Sequence, residues 1–360
     1  MNSPTDIAKS VWRKVTDVAD RYERRRFPIQ YDASHSPDPT VYFLTPDYRL
    51  PSGGVRVIYR HVDLLNGAGI RARVLHRRPG FRCTWFANDT AVTNTAASTI
   101  RLGDVLVVPE LEVIELASVP PGVRRVIFNQ NSHLTWQRSS NIRRFYTRSN
   151  DLAAVICVSE HNRQMLLRAF PEAPLRRVTL GIDPAIFHPR SSNRRKRIAY
   201  MPRRGLDDAR QVMAVLHDRG MPDGWDFCPL NNLSHEEVAQ ELRNSQIFLA
   251  VTHAEGFGLP PAEAMACGCY VIGNDGFAGR EFFRAEFSTR VESGDIVGFV
   301  DALEAAFENV AMDDRWCSRL GELAADYIHA HYSLEREQES VVTVYAEVLG
   351  GSFELAAAIV

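Results

Sequence analysis

Ile247-Phe-Leu-Ala-Val251 is an unbroken apolar run, and Glu255-Gly-Phe-Gly-Leu-Pro-Pro-Ala-Glu263 follows it after three residues. The run reads as a buried strand. Gly256 and Gly258 let the backbone come close to a ligand, and Pro260-Pro261 sits where a helix can begin. The expectation is a strand, a tight turn, and a helix whose first N–H groups are unpaired. Such a helix start, at the positive end of its dipole, attracts a phosphate or pyrophosphate. Glu255 in the turn and Glu263 in the helix, eight positions apart, then accept hydrogen bonds from hydroxyls on either side of that phosphate.

Outward from this turn, short apolar runs alternate with helical patterns. Before it, strands are expected at 41–45, 72–76, 104–108, 125–129, 153–158 and 178–180, with helices at 54–68, 134–150 and 160–170. Residues 27–39, with three prolines, read as an extended connector. The polar, charged stretch 188–197 breaks the pattern and is expected to be an interdomain linker. A second alternation follows: strands at 198–200, 226–230, 246–251 and 270–272, and helices at 207–219, 235–244, after Pro261, and at 295–310 and 315–331. Ser234 with Glu237 three residues on is a capping box that fixes one helix start. A last helix is expected at 334–349. This order implies doubly wound parallel sheets, whose ligands lie beyond the carboxyl ends of the strands. Two such units facing one another place the ligand in a central cleft. The expected division is 1–189 with a helix at 6–26, then 190–333, then a crossing helix within 334–360.

A chain of 360 residues with 45% hydrophobic and 24% charged content has the composition of a soluble protein of two ordinary domains. No apolar run approaches the roughly 18 residues that span a bilayer, and the polar N-terminus lacks a signal-peptide core, so a cytoplasmic location is expected. The six cysteines lie scattered, mostly in apolar runs, which predicts buried free thiols. Cys267-Gly-Cys269 has the wrong spacing for a zinc pair, and no metal is expected. The halves carry opposite charge: 27 basic and 17 acidic residues up to Arg190, then 15 basic and 27 acidic. Either the basic half meets an anionic membrane face or phosphorylated acceptor, or the two lobes attract one another across the cleft. Residues 6–26 form an amphipathic pattern with a basic flank, open both to packing on the protein body and to lying on a membrane surface.

The Glu255 to Glu263 segment resembles the E-x7-E signature of the retaining GT-B glycosyltransferases of family 4. Four other pieces fit in the family's order: Ser52-Gly53-Gly54-Val55, Asn131-Ser132-His133, Val155-Ile-Cys-Val-Ser-Glu160, and Leu180-Gly-Ile-Asp-Pro184 with Phe187 and Pro189. The resemblance implies a GT-B fold of two Rossmann-like domains, a nucleotide-sugar donor and a glycan or glycolipid acceptor. It implies no nucleic acid and no cofactor beyond the donor substrate. Glu255 is then expected to contact the donor sugar and its developing positive charge. Glu263 is expected to grip the ribose hydroxyls, the alternative being simple dipole stabilisation in the helix's first turn. Gly256, Phe257, Gly258 and Leu259 are expected around the diphosphate, with Gly53 and Gly54 approaching from the other lobe and Arg56 just inside. His133 is expected to point toward the transferred sugar, the alternative being a surface histidine. The family's usual arginine and lysine correspond to Arg203 and Arg204, and no lysine occurs after Lys196. That departure keeps a catalytically silent scaffold open beside a transferase, with a nucleotide-sugar epimerase as a further alternative. The implied chemistry is metal-independent, front-face hexosyl transfer with retention, in cell-surface polysaccharide synthesis.

Overall fold

The structure, a computed structural model, describes residues 22–137, 141–147, 151–190, 194–203 and 205–350. Arg204 and most of the helix expected at 6–26 lie outside the described residues. Residues 22–26 are helical, and Arg24 pairs with Glu112 at 3.4 Å and with Glu115 at 3.5 Å, so this end is fastened to the protein body.

The first lobe is built on seven parallel strands: β2 (Val41–Leu44), β3 (Ala72–His76), β4 (Val92–Asn94), β6 (Val105–Pro109), β7 (Arg124–Asn129), β8 (Leu152–Cys157) and β9 (Leu175–Arg177). Their spatial order is β4-β3-β2-β6-β7-β8-β9. Every residue of β6 is buried, which is why a parallel strand covered on both faces reads as a continuous apolar run. Helices α1 (Gly53–Gly67) and α2 (Glu160–Ala169) pack on this sheet. The second lobe holds β10 (Arg195–Tyr200), β11 (Asp226–Pro229), β12 (Ser245–Ala250), β13 (Tyr270–Gly273) and β14 (Ser288–Arg290), ordered β11-β10-β12-β13-β14 and again parallel. Its helices are α3 (Leu206–Arg219), α4 (His235–Asn244), α5 (Leu259–Ala266), α6 (Ile296–Met312) and α7 (Trp316–His331). The capping box at Ser234 and Glu237 opens α4 as its sequence requires.

Helix α8 (Leu334–Leu349) returns to the first lobe. Tyr345 lies 5.4 Å from Phe43, and Glu337, wholly buried, takes Arg60 Nε at 2.7 Å and the Gly181 N–H at 3.1 Å. Val341, Val342 and Tyr345 join a core that runs through both lobes, each such burial contributing about 1.5–3 kcal/mol.

Four expectations need correction. The connector at 27–39 contains β1 (Gln30–His35), which pairs in parallel with β5 (Thr99–Leu102) beside the main sheet. The helix expected at 134–150 is instead, in its described part, loop with 3-10 turns at Ser132–Leu134 and Arg143–Phe145. The strand expected at 178–180 is β9, three residues earlier. Part of the expected linker is the start of β10, where Arg197 pairs with Asp226 at 2.6 Å and Glu241 at 2.9 Å. The cysteines are free thiols and, apart from partly exposed Cys228, buried. Among the described residues no helix is long and apolar enough to cross a membrane.

Candidate functional site

Tyr200 pairs with Leu249 and Ala250 with Gly273, so the carboxyl ends of β10, β12 and β13 are level. The loops that follow them therefore converge. Gly258 is the N-cap of α5, with prolines in the first turn, no side-chain cap and no acid there. Helix α1 likewise starts at Ser52 without a side-chain cap or an acid in its first turn. The two helix starts meet across the gap: Leu259 Cδ1 lies 3.0 Å from where a side chain on Gly53 would begin, and Gly54 lies beside Gln130. A Cβ on Gly256 would lie 1.7 Å from the Gln130 carbonyl oxygen, so only glycine lets the turn touch the first lobe's backbone. Phe257 is buried against Phe282 and Tyr332, at 5.5 and 5.3 Å, and serves as an anchor for the turn.

Glu255 is half-buried, and its N–H donates to the Gly276 carbonyl at 2.9 Å, tying the turn to the loop after β13. Together with Met201, Thr252, Gly258, Asp275 and Gly276 it lines a pocket of about 10 Å³. That is room for one water, not for a sugar nucleotide. The lobes touch beside it, with Leu259 against Gly53 and Gly256 against the Gln130 backbone.

Glu263 is the fifth residue of α5, beyond its first turn, which removes the simple capping role. It is 5% exposed, forms an ion pair with Arg56 from the first lobe, and lies 3.7 Å from His235. Burial pushes its carboxyl up, but Arg56 and then His235 outweigh it and hold it below the ordinary range. Arg203 also crosses the gap, its Nη1 donating to the Pro51 carbonyl at 2.6 Å. The segment that carries it runs against the end of β12: Gly205 has φ 77°, and a Cβ there would lie 2.0 Å from Val251 O.

His133 sits in the turn after β7, its N–H donating to Asn131 Oδ1 at 3.0 Å. Beneath it, buried Glu110 at the end of β6 accepts the N–H groups of Gln130 and Asn131 at 3.1 and 3.2 Å. Burial, against those two hydrogen bonds, pushes the Glu110 carboxyl up to about 7. From the second lobe, Phe277 reaches over to His133 at 5.6 Å between ring centroids. Its backbone has φ 66° and ψ −44°, a sparsely populated conformation that costs a non-glycine residue about 1–3 kcal/mol, and such strain clusters at functional sites. Sequence reasoning passed over Glu110, Phe277 and the Arg56 contact with Glu263. Glu110 carried a usable signal, an acid directly after the buried run of β6, much as Glu255 follows its apolar run after three residues.

The geometry can hold an anion between two uncapped helix starts flanked by Arg56 and Arg203. It also sets a carboxylate, Glu255, beside that position. Among the described residues no group of three or more His, Cys, Asp or Glu is placed to hold a metal ion.

Residues 224–320 match the family described as Glycosyl transferases group 1. Over 110 residues the chain is 34% identical to the lipopolysaccharide core biosynthesis mannosyltransferase LpcC of Rhizobium leguminosarum bv. viciae, covering 30% of each chain. Over 51 residues it is 41% identical to an alpha-1,6-glucosyltransferase of Actinobacillus pleuropneumoniae serotype 7, covering 14% of this chain and 16% of that one. The match thus spans less than a third of these curated relatives. Sucrose-phosphate synthase from Thermosynechococcus elongatus superposes with a TM-score of 0.65 at 15% identity, over 87% of this chain and all (100%) of that one. HepE from Anabaena, solved with UDP and glucose, superposes with a TM-score of 0.62 at 13% identity, over 87% of this chain and 99% of that one. At such identities the likeness shows the fold, which is GT-B.

Proposed function

We propose that this chain, whose second lobe belongs to the group 1 glycosyl transferases, moves a hexose from a UDP-glucose-type or GDP-mannose-type donor to an acceptor hydroxyl, with retention at the anomeric carbon. The observation that carries the reading is that the uncapped starts of α1 and α5 meet: Leu259 lies against Gly53, Gly256 against the Gln130 backbone, and Arg203 donates to the Pro51 carbonyl. Negative charge grows on the leaving diphosphate as the glycosidic bond breaks, and fixed positive charge aimed there supplies the largest catalytic effect. Arg203 and the α5 amides are that charge, and with them the reaction needs no metal. Glu255 faces the sugar and offsets its developing positive charge. Transfer proceeds on the front face: the departing phosphate oxygen takes the acceptor's proton, and the acceptor oxygen bonds to the anomeric carbon. Glu263 holds the ribose hydroxyls once Arg56 has released it. The acceptor is a glycan or glycolipid of the cell surface, a role supported by the likeness to the lipopolysaccharide core enzyme.

The test is release of nucleoside diphosphate from UDP-glucose and GDP-mannose by the purified protein, with and without glycan acceptors. Turnover that falls in Glu255→Gln and Arg203→Ala supports the assignments. No turnover and no thermal shift with any donor would leave the scaffold reading instead.

A further inference from the structure

His133 has a partner that the family signature does not name. His161, the second residue of α2, places its Nε2 3.1 Å from His133 Nε2, with ring planes 23° apart and centroids 5.1 Å apart. At that separation two lone pairs, or two N–H groups, facing one another repel, so one ring donates and the other accepts. One imidazole is thus the Nε2–H tautomer and the other the Nδ1–H tautomer. The bridge has room for a single proton.

The surroundings keep the pair neutral. Burial holds both rings below the ordinary histidine value, and His133 and Arg280 lower His161 further, against Asp275, which raises it. The N-terminal end of α2 disfavours a cation at His161 as well. From the second lobe, Phe277 covers both rings at 5.6 and 5.2 Å, with the Arg280 guanidinium 5.0 Å from the Phe277 ring. Glu281, in the same loop, is engaged by the Glu160 N–H and by Arg177. Beneath the His133 turn, Glu110 is engaged by the Gln130 and Asn131 N–H groups.

We infer that His161 is a positioning residue for His133: it occupies Nε2, fixes the tautomer and ring angle, and leaves Nδ1 as the one nitrogen that can exchange a hydrogen bond with a hydroxyl of the transferred sugar. The sugar's part in this rests on the glycosyl-transfer reading; the imidazole bridge does not.

Long-range ¹H–¹⁵N spectra of the full chain labelled at histidine read the tautomer of His133 directly, independent of turnover. In the unmodified protein His133 should show one fixed tautomer and titrate below about 6.5. His161→Phe keeps a ring and removes the nitrogen; His133 should then populate both tautomers, and kcat should fall about 10- to 100-fold with little change in donor KM. His161→Gln, which restores a hydrogen-bonding group, should recover a single tautomer and most of kcat. A His133 tautomer that stays fixed in His161→Phe, or is already mixed in the unmodified protein, overturns the inference. Absence of turnover with a fixed, His161-dependent tautomer would instead overturn the sugar-transfer reading alone.

Discussion

At the scale of single residues, two buried or half-buried acids have been given opposite electrostatics by their neighbours. Glu263 is surrounded by Arg56 and His235 and stays ionised, whereas Glu110 has only backbone N–H groups against the cost of burial. The consequences for stability have opposite signs. A depressed carboxyl such as Glu263 stabilises the fold above its unfolded pKa and loses that contribution as pH falls through its folded value. Glu110, raised from 4.5 to about 7, favours the fold below the unfolded value and costs stability as pH rises toward 7. The full shift is worth about 3 kcal/mol. Thermal unfolding followed from pH 5 to 8 should therefore show a decline that flattens in Glu110→Gln; parallel curves for the two proteins would exclude it. In the proposed transfer Glu255 acts on the reaction rather than the fold, and Glu255→Gln should lower turnover about 100- to 1000-fold at unchanged melting temperature. Near-native rates would remove it from the mechanism. The turn that carries Glu255 and Glu263 was legible because glycine, proline and acid at fixed offsets have few other uses. The partners were not: Arg56 lies 207 residues from Glu263, and His161 lies 28 from His133, and no local pattern encodes such meetings.

Elements with strong local signals appear where their residues place them. Helix α4 begins at its capping box, and α8 begins after Ser333, whose side chain accepts the Arg336 N–H. The misread stretches lack such signals. In the described part of 134–150, Asn141 offers the backbone a competing hydrogen bond, and a region with scattered apolar residues forms turns rather than a helix. Strand β1 is mostly polar and exposed, since it pairs only with β5 outside the main sheet, and period-two alternation never develops. Helix α8 makes a sharper prediction. Its Glu337 gathers Arg60, the Gly181 N–H and, at 3.4 Å, His61 in the core. Removing that carboxylate leaves buried donors unmatched, which costs about 3–5 kcal/mol. Glu337→Ala should lower the denaturant midpoint accordingly, and Glu337→Gln should recover part of it through the Gly181 contact. A loss below about 1 kcal/mol would mean α8 is held by its apolar face alone.

The whole molecule closes by charge. Arg56–Glu263 and Arg177–Glu281 set an arginine of the first lobe against an acid of the second, while Arg60–Glu337 and Arg176–Glu347 fasten the returning helix α8 to the first lobe. The opposite charge of the two halves is thereby spent at least partly on one another, which favours mutual attraction of the lobes over an outward anionic partner. Contact between the lobes also has a functional cost, because the carboxylate assigned to the ribose in the proposed transfer is held by Arg56 across the gap. In the proposed transfer a donor reaches Glu263 only as Arg56 withdraws and the lobes part, and contacts away from Glu263 set how often they do. Arg177 and Glu281 form such a contact, partly exposed and so open to screening by salt. A compact chain of this length has a radius of gyration of about 21 Å. Small-angle scattering should give a value near that for the unmodified protein at low salt, and larger values for Arg177→Met or at high ionic strength. Donor binding to Arg177→Met should be faster, since opening precedes it, while the chemical step keeps its rate. A radius unchanged by both variant and salt would mean that the ion pairs do not hold the lobes together, and that their contact rests on Phe277 against His133 and His161 and Leu259 against Gly53 instead.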